Sequence, residues 1–558
     1  MWRIWFVFSL FILLSCGIIA RLFYWQVISA YHLKAEATAQ YKLELTIPAQ
    51  RGSIITSDGY AIVMNKLASL VYAEPNNIED SKVFSQLVSG ALRIEEASVS
   101  ALISDSSKMW APILHKVDEV KIQELKSLNI KGLGFEKEPK RYYPEGSMAA
   151  QLLGFVGSDQ NGSDVGYFGL EGYYNRELQG KAGSVTYEKD VNGAPILVGE
   201  SVRIEPENGS TMILWLDRTI QNIVEQKLFE GIAKYGAKEG SVVVMDPVTG
   251  GILAMASYPS YHPGQYQQFD RELYKNPIVA STYEPGSTFK ALIMGAAIDK
   301  GLIKPMSIFD EKGPIEVSDY TIRTWNNKYN GPITMTQVLE QSSNVGMVYV
   351  GKLLGIGAFV KFIKDVGFGV PTNIDLEDEN SPMIRSDRDW KEIDLATASF
   401  GQGIAVTPLQ MVRAIAAIAH GGWLMEPHMV KKMQYPNERT IDIKPKKVRQ
   451  VLSSAASQVV TEMMTAAVDN GEAKWAKPKG YRIAGKTGTA QIPVAGHYDA
   501  TKTIASFVGF APADKPRFAM LVTLREPSSS QWGSETAAPL FFAIAKDIFL
   551  YMGIPAQL

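Results

Sequence analysis

Ser287 and Lys290 stand three residues apart in the tetrad Ser287-Thr288-Phe289-Lys290, directly after Glu284-Pro285-Gly286. A hydroxyl and an amine at that spacing share one face of a helix, so the amine can reach the hydroxyl. Serine is a poor nucleophile until a base takes its proton, and a desolvated, neutral lysine is such a base. Amides at a helix start can also stabilise negative charge developing on a substrate carbonyl. The chemistry indicated is acyl transfer through a serine ester. A capped helix with an exposed lysine would spell the same four letters, but the following residues argue for burial. Phe289, Leu292, Ile293, Ala296 and Ala297 form an apolar stripe at helical spacing, and Gly301 is a stop signal. Ser287, Lys290, Ala291 and Met294 fall on another side that is poor in charge. A helix apolar on most sides is buried, and burial lowers the pKa of a lysine.

Two further stretches carry usable groups. Ser342-Ser343-Asn344 ends a helical run over 334–341. It reads either as a polar turn between helices or as a proton relay at Ser342 with an amide clamp at Asn344. Lys486-Thr487-Gly488-Thr489 lies in a strand expected over 483–492. Alternation puts the hydroxyls of Thr487 and Thr489 on one face, suited to a substrate carboxylate, with Lys486 supplying positive charge from behind. Gly488 would let a peptide approach the strand closely. The amides of Thr489 and Ser287 could together form an oxyanion hole.

The remaining text describes what must position these groups. At 558 residues the chain exceeds one ordinary domain. Its 46% hydrophobic and 20% charged residues mark a folded protein. A net charge of -2 gives no support for a nucleic-acid partner. The six histidines lack ligand spacing, so no metal site or cofactor is expected, and His497 is expected in a solvated loop after Ile492.

Residues 4–20 carry no charge and are rich in Phe, Leu, Ile and Val, and Leu22-Phe23-Tyr24-Trp25 supplies an aromatic interfacial end. The alternatives are a cleaved signal peptide and a lipoprotein processing site at Leu13-Leu14-Ser15-Cys16. No small-residue cleavage site stands near Ala20, so an uncleaved single-span anchor is the better reading. Arg3 on one side, with Arg21 and Lys34 on the other, leaves orientation to other arguments. Cys16 is the only cysteine, which suits an extracytoplasmic body without disulfides.

After the anchor, short strands and helices alternate to about residue 205, with turn signals at Asp58-Gly59, Asn161-Gly162 and Asn192-Gly193. Nothing there joins a nucleophile to a base, so the region reads as structural. Beyond Pro206-Glu207-Asn208-Gly209 a strand is expected at 212–216, with Asp217 capping a helix through Gln221 to Phe229. A hairpin follows, with strands at 241–246 and 251–256. Helical text runs from 287 to about 419, broken at Gly401-Gln402-Gly403. Strands return at Gly485, 504–510 and 517–524, and an amphipathic helix covers 539–551. The expected fold class is α+β: an antiparallel sheet flanked by helices with an all-helical subdomain, preceded by an α/β pedestal and one transmembrane helix. The expected boundaries are 1–25 for the anchor, 26–205 for a non-catalytic pedestal of dimerisation type, and 206–558 for the catalytic domain.

Ser-Xaa-Xaa-Lys, Ser-Xaa-Asn and Lys-Thr-Gly in this order, on helix, helix turn and strand, are the motif set of penicillin-recognising serine acyltransferases. The chain resembles a class B penicillin-binding protein, a peptidoglycan D,D-transpeptidase, over nearly its whole length. Arg51-Gly52-Ser53-Ile54 and Asp58-Gly59 resemble the family's N-terminal signature, with Thr56 and Ser57 where an Asp-Arg pair is usual. The stretch 141–157 and Gly169-Leu170-Glu171-Gly172 resemble its pedestal. Asp217 with Gln221, Gly401-Gln402-Gly403-Ile404 with Thr407-Pro408-Leu409-Gln410, and Ser506-Phe507-Val508-Gly509-Phe510 resemble its catalytic domain. Tyr283-Glu284-Pro285-Gly286 and Asn344 are similar to division-type members, whereas elongation-type members more often carry Asp at the latter place.

The resemblance implies the penicillin-binding transpeptidase fold and assigns roles. Ser287, Lys290, Ser342 and Lys486 would be catalytic, while Asn344, Thr487, Gly488 and Thr489 would bind substrate. The substrates implied are peptidoglycan stem peptides ending in D-Ala-D-Ala, with β-lactams as covalent inhibitors and septal wall synthesis as the setting. A membrane-embedded glycan polymerase of the SEDS type and other division proteins are the implied partners. The implied location is the bacterial cytoplasmic (inner) membrane, single-pass, with the catalytic domain outside. The alternatives are an elongation-type transpeptidase, a β-lactamase or carboxypeptidase with water as acceptor, and a β-lactam-binding sensor or scaffold without turnover. No Glu-Xaa-Xaa-Leu-Asn type of deacylation motif supports the hydrolase.

Overall fold

The computed structural model describes residues 1–34, 42–105, 108–160, 162–188, 201–494 and 497–556. The expected turns at Asn161 and at Asn192-Gly193 therefore fall outside the described residues. The chain divides into two compact units, Met1–Gln50 with Gly180–Gly209, and Arg51–Gln179 with Ser210–Leu558.

In the first unit, the helix Trp2–Phe23 continues through a π-helical turn, Tyr24–Ile28. None of its residues is buried, and Cys16 is exposed. Twenty-two residues at 1.5 Å each span about 33 Å, enough for the roughly 30 Å hydrocarbon core of a bilayer. The same unit holds a small antiparallel sheet, in which Gly183–Glu188 pairs with both Lys42–Ile47 and Val202–Ile204.

The second unit is built on a five-stranded sheet. Its strands are β1 (Glu239–Met245), β2 (Ile252–Tyr258), β3 (Ala484–Val494), β4 (His497–Ala511) and β5 (Phe518–Arg525), in the spatial order β2-β1-β5-β4-β3. All neighbours are antiparallel. Successive side chains point to opposite faces of a strand, and here both faces are covered. Val242 and Val244 pack with Phe507, Met520 and Val522 against α1 (Arg218–Tyr235) and α5 (Ala537–Tyr551). Val243 and Met245 join Val508, Phe510 and Leu521 in the core that holds α2 (Lys290–Asp299). Burial on both faces explains why Val242-Val243-Val244-Met245 is apolar without alternation. His497 lies in strand backbone, because the β3–β4 hairpin runs on to the Val494–His497 pair, so the expected loop there is a strand.

Asp217 caps α1 as expected, its Oδ1 accepting from the Ile220 amide at 3.0 Å. The block between the sheet's two halves is mainly helical. It contains α2, the short α3 (Met335–Glu340) and α4 (Asn344–Asp365), plus two hairpins that periodicity did not signal. These pair Ile308–Glu311 with Gly331–Thr334, and Ile315–Val317 with Tyr320–Ile322. At three or four residues per strand they are too short to show an alternation.

A second sheet joins strands from both sides of residue 206: Ile54–Ile55 runs parallel to Thr211–Leu214, which pairs with Val430–Gln434. Beside it, three motifs of the sequence meet at one buried carboxylate. Glu171 Oε2 lies 2.6 Å from Arg51 Nε, and its Oε1 lies 2.6 Å from Arg141 Nε. Burial pushes the Glu171 carboxyl up, but Arg141 and Arg51 outweigh it and hold the group below its ordinary value.

Candidate active site

The turn that carries Ser287 is tighter than an α-helix. Gly286–Phe289 forms a 3₁₀ turn that passes into α2 at Lys290. Gly286 has a φ of +54°, and its amide donates to Gly401 O at 2.9 Å. Gly401 must be glycine, since its φ is +84° and a Cβ there would lie 2.1 Å from Gly286 O. The Gly401-Gln402-Gly403 break in the helical text is thus a brace: Gly403 also donates its amide to Glu284 Oε1 at 3.0 Å.

Ser287 is half-buried, and Lys290 is fully buried at 0% exposure. Lys290 Nζ lies 2.6 Å from Ser342 O, 2.8 Å from Asn344 Oδ1 and 3.3 Å from Ser342 Oγ. Ser287 Oγ makes no hydrogen bond among the described residues, so the amine expected to contact it is instead held by the second motif. The Asn344 orientation is fixed by its other end, where Nδ2 donates to Arg323 O at 3.1 Å.

A neutral lysine amine has two protons and one lone pair. Ser342 O and Asn344 Oδ1 can only accept, so they take both protons. The lone pair is left for a hydroxyl. Burial first, and then the charge of Lys486, holds the Lys290 amine well below the usual lysine range, against smaller upward influences from Glu472 and Glu311.

Ser342 sits in the left-handed region, with φ +55°, between α3 and α4. For a non-glycine residue this costs of order 1–3 kcal/mol and persists only when the surroundings impose it. Ser343 supplies that constraint. It caps α4 by accepting from the Gly346 amide at 2.8 Å, and its hydroxyl donates to the buried carboxylate of Glu311. Glu311 Oε2 in turn accepts from both the amide and the side chain of Asn330.

The third motif lies on β3, at the edge of the sheet. Lys486 is 4% exposed, and its Nζ donates to Thr487 Oγ1 at 3.1 Å and to Thr487 O at 3.3 Å. The lysine thus reaches round to the threonine hydroxyl itself. Burial lowers its pKa to about 8, opposed by Glu472. Thr489 Oγ1 accepts from the Gly533 amide at 3.0 Å. Gly488 meets the protein's own Ser287 turn: a Cβ there would lie 2.4 Å from Ser506 Oγ, 2.7 Å from Thr288 Cγ2 and 3.1 Å from Pro285 O. Close packing of the turn on the strand is therefore what requires glycine.

One cleft of about 80 Å³ is lined by Ser287, Ser342, Asn344, Thr487, Gly488 and Thr489. Lys290 and Lys486 each bond to a residue of that lining. The three sequence motifs therefore converge on one space. Sequence reasoning missed the wall residues Trp325, Phe400, Gln402, Glu472, Trp532 and Ser534. Trp325 and Trp532 meet edge to face with ring centroids 5.0 Å apart. Among the described residues no group of three or more His, Cys, Asp or Glu side chains is placed to hold a metal ion.

Residues 240–549 match the family described as the penicillin-binding protein transpeptidase domain. Residues 46–214 match that described as the penicillin-binding protein dimerisation domain. Stage V sporulation protein D of Bacillus subtilis strain 168 is 33% identical, covering 99% of this chain and 86% of that protein. Peptidoglycan D,D-transpeptidase FtsI of Escherichia coli strain K12 is 29% identical, over 99% and 92%. Among solved structures, a peptidoglycan synthetase from Bifidobacterium adolescentis superposes with a TM-score of 0.75 at 25% identity, over 93% of this chain and 98% of that one. Penicillin-binding protein 3 of Mycobacterium tuberculosis, complexed with aztreonam, gives 0.71 at 27% identity, over 92% and 98%. Sequence and architecture agree along almost the full length, and the chain belongs to the class B penicillin-binding proteins.

Proposed function

We propose that this protein is a serine D,D-transpeptidase that crosslinks peptidoglycan stem peptides, working in septal wall synthesis. The observation that carries the reading is the Lys290 amine: fully buried, its pKa held well below the usual lysine range, and bonded to two carbonyl oxygens that would take both protons of its neutral form and leave the lone pair over. Such a group is a base for Ser287. In the proposed reaction Ser287 Oγ gives its proton to Lys290 and attacks the carbonyl of the penultimate D-Ala. The amides of Ser287 and Thr489 hold the oxyanion, an arrangement whose single donors are worth about 2.7–4 kcal/mol elsewhere. Ser342 passes the proton to the departing D-Ala under the field of Lys486. Asn344 orients the peptide, and Thr487 and Thr489 hold its terminal carboxylate across Gly488. An amine of a neighbouring stem peptide then takes the acyl group from Ser287.

The placement proposed with this chemistry is a cytoplasmic membrane crossed once by residues 1–25, with the pedestal (26–205) and catalytic domain (206–558) outside. A polytopic glycan polymerase and other division proteins are the proposed partners, and β-lactams would acylate Ser287 as mimics of D-Ala-D-Ala. The likeness to a sporulation protein favours one second reading, wall synthesis during spore formation. Depletion that spares division and blocks sporulation would select it.

The direct test is intact-protein mass spectrometry after treatment with a penicillin, with the adduct mapped. One acyl group on Ser287 is expected, and Ser287→Ala should take up none. Labelling of Ser287→Ala at the wild-type rate would overturn the reading.

A further inference from the structure

A second, larger cleft adjoins the first. It measures about 500 Å³, and its wall includes Trp325, Glu340, Asn470, Glu472 and Trp475. Trp325 and Glu472 line both spaces, so the two are continuous at that pair. The other carboxylates in the wall are engaged: Glu311 with Ser343 and Asn330, and Glu340 with Asn470 Nδ2 at 2.7 Å. The carboxylate of Glu472 makes no hydrogen bond and no ion pair among the described residues.

Its position is also electrostatically unfavourable. Glu472 follows the helix Ser454–Asn470 by two residues, beside the negative end of seventeen aligned peptide dipoles. A carboxylate there repels the helix terminus, and although it is exposed and within electrostatic reach of Lys290 and Lys486, no cation is bonded to it among the described residues. A cation placed between the helix end and Glu472 would satisfy both, and the indole faces of Trp325 and Trp475 in the same wall suit a cation as well.

We propose that this cleft is the acceptor subsite, with Glu472 holding the primary ammonium group of a neighbouring stem peptide's diamino residue. The assignment rests on the transpeptidase reading above. Lys328 and Lys474 in the same wall can meet the acceptor's carboxyl groups. The bound ammonium loses one proton to water, and the neutral amine attacks the acyl carbon. The new C–N bond forms as the C–O bond to Ser287 breaks. The amine's second proton passes through Lys290 to Ser287 Oγ, which restores the serine. Glu472 is a positioning residue in this scheme.

The test uses the full chain in detergent, a D-Ala-terminated donor, and a stem tripeptide bearing a free side-chain amine. For Glu472→Gln the acceptor KM should rise at least tenfold, and the ratio of transfer to hydrolysis should fall as much. Penicillin acylation, read at the top of its pH profile because Glu472 also acts on Lys290 and Lys486, should fall less than transfer does, and Glu472→Asp should recover part of the transfer. On the wild type, an acceptor with a hydroxyl in place of the amine should show no saturable binding. Equal losses of transfer and acylation in Glu472→Gln, or an unchanged transfer ratio, would overturn the acceptor subsite. Absence of any penicillin adduct on wild-type Ser287 would instead overturn the parent reading.

Discussion

At the scale of single residues, the proposed reaction requires the two buried lysines to titrate apart. Lys290 must be neutral to accept a proton from Ser287, and its amine is held well below the usual lysine range by burial and by Lys486. Acylation should therefore rise with pH along a limb far below the ordinary lysine value. Lys486 must stay charged to steer the leaving group, and its pKa is about 8. Acylation should fall again as pH passes about 8, giving a bell. Lys486→Met removes a positive neighbour, which favours the protonated form of Lys290, so the acid limb should move to higher pH. Measuring the acylation rate of a chromogenic β-lactam across pH checks both limbs, and an acid limb that stays put or moves down would contradict the coupling. The three motifs that meet in the cleft were legible because each is local, with its spacing written in consecutive letters. Glu472, Trp325 and Trp532 were not. Each lies in a separate loop, where no period or cap marks it, and only the fold brings the three to one wall.

At the scale of elements, the site depends on how closely a turn, a corner and a strand approach. Gly488→Ala would place a Cβ 2.4 Å from Ser506 Oγ and 2.7 Å from Thr288 Cγ2, forcing β3 away from the Ser287 turn. Overpacking of this kind costs about 1–3 kcal/mol. Acylation should drop at least tenfold, with a measurable loss of melting temperature. Glu311→Ala acts on the corner instead. It strands the buried Ser343 hydroxyl, at about 1–3 kcal/mol for a buried group left unpaired, and releases the exposed Asn330 donors to water. The left-handed Ser342 should then relax, so acylation and thermal stability should fall together, as parallel labelling and melting experiments would show. The strands β1 and β2, the capped α1 and the closing α5 were readable from apolar runs and punctuation. The two short hairpins of the helical block were not, because three or four residues do not establish a period of two.

At the scale of the whole molecule, the clearest structural tie is Glu171 between Arg51 and Arg141. Glu171→Ala leaves two buried guanidinium groups uncompensated, at about 3–5 kcal/mol, or a fall of about 6–10 °C in melting temperature. The carboxyl's folded pKa lies below its unfolded value, so the stability it supplies is complete above the unfolded pKa. It is lost as pH falls through the folded pKa. The acid limb of wild-type stability should accordingly be steeper than that of Glu171→Ala. Removing residues 1–28 should release the protein from detergent-dependent solubility and leave penicillin acylation within twofold, since every motif lies in the other compact unit with its own cores. Ultracentrifugation and labelling kinetics check this, and loss of acylation would contradict it. The N-terminal helix carries one last consequence. With the chain's one thiol confined to that helix at Cys16, Cys16→Ala leaves a body in which any introduced cysteine is uniquely addressable. A pair of spin labels at positions 326 and 529, one on each tryptophan's loop, would then report the width of the cleft as a distance distribution, before and after acylation.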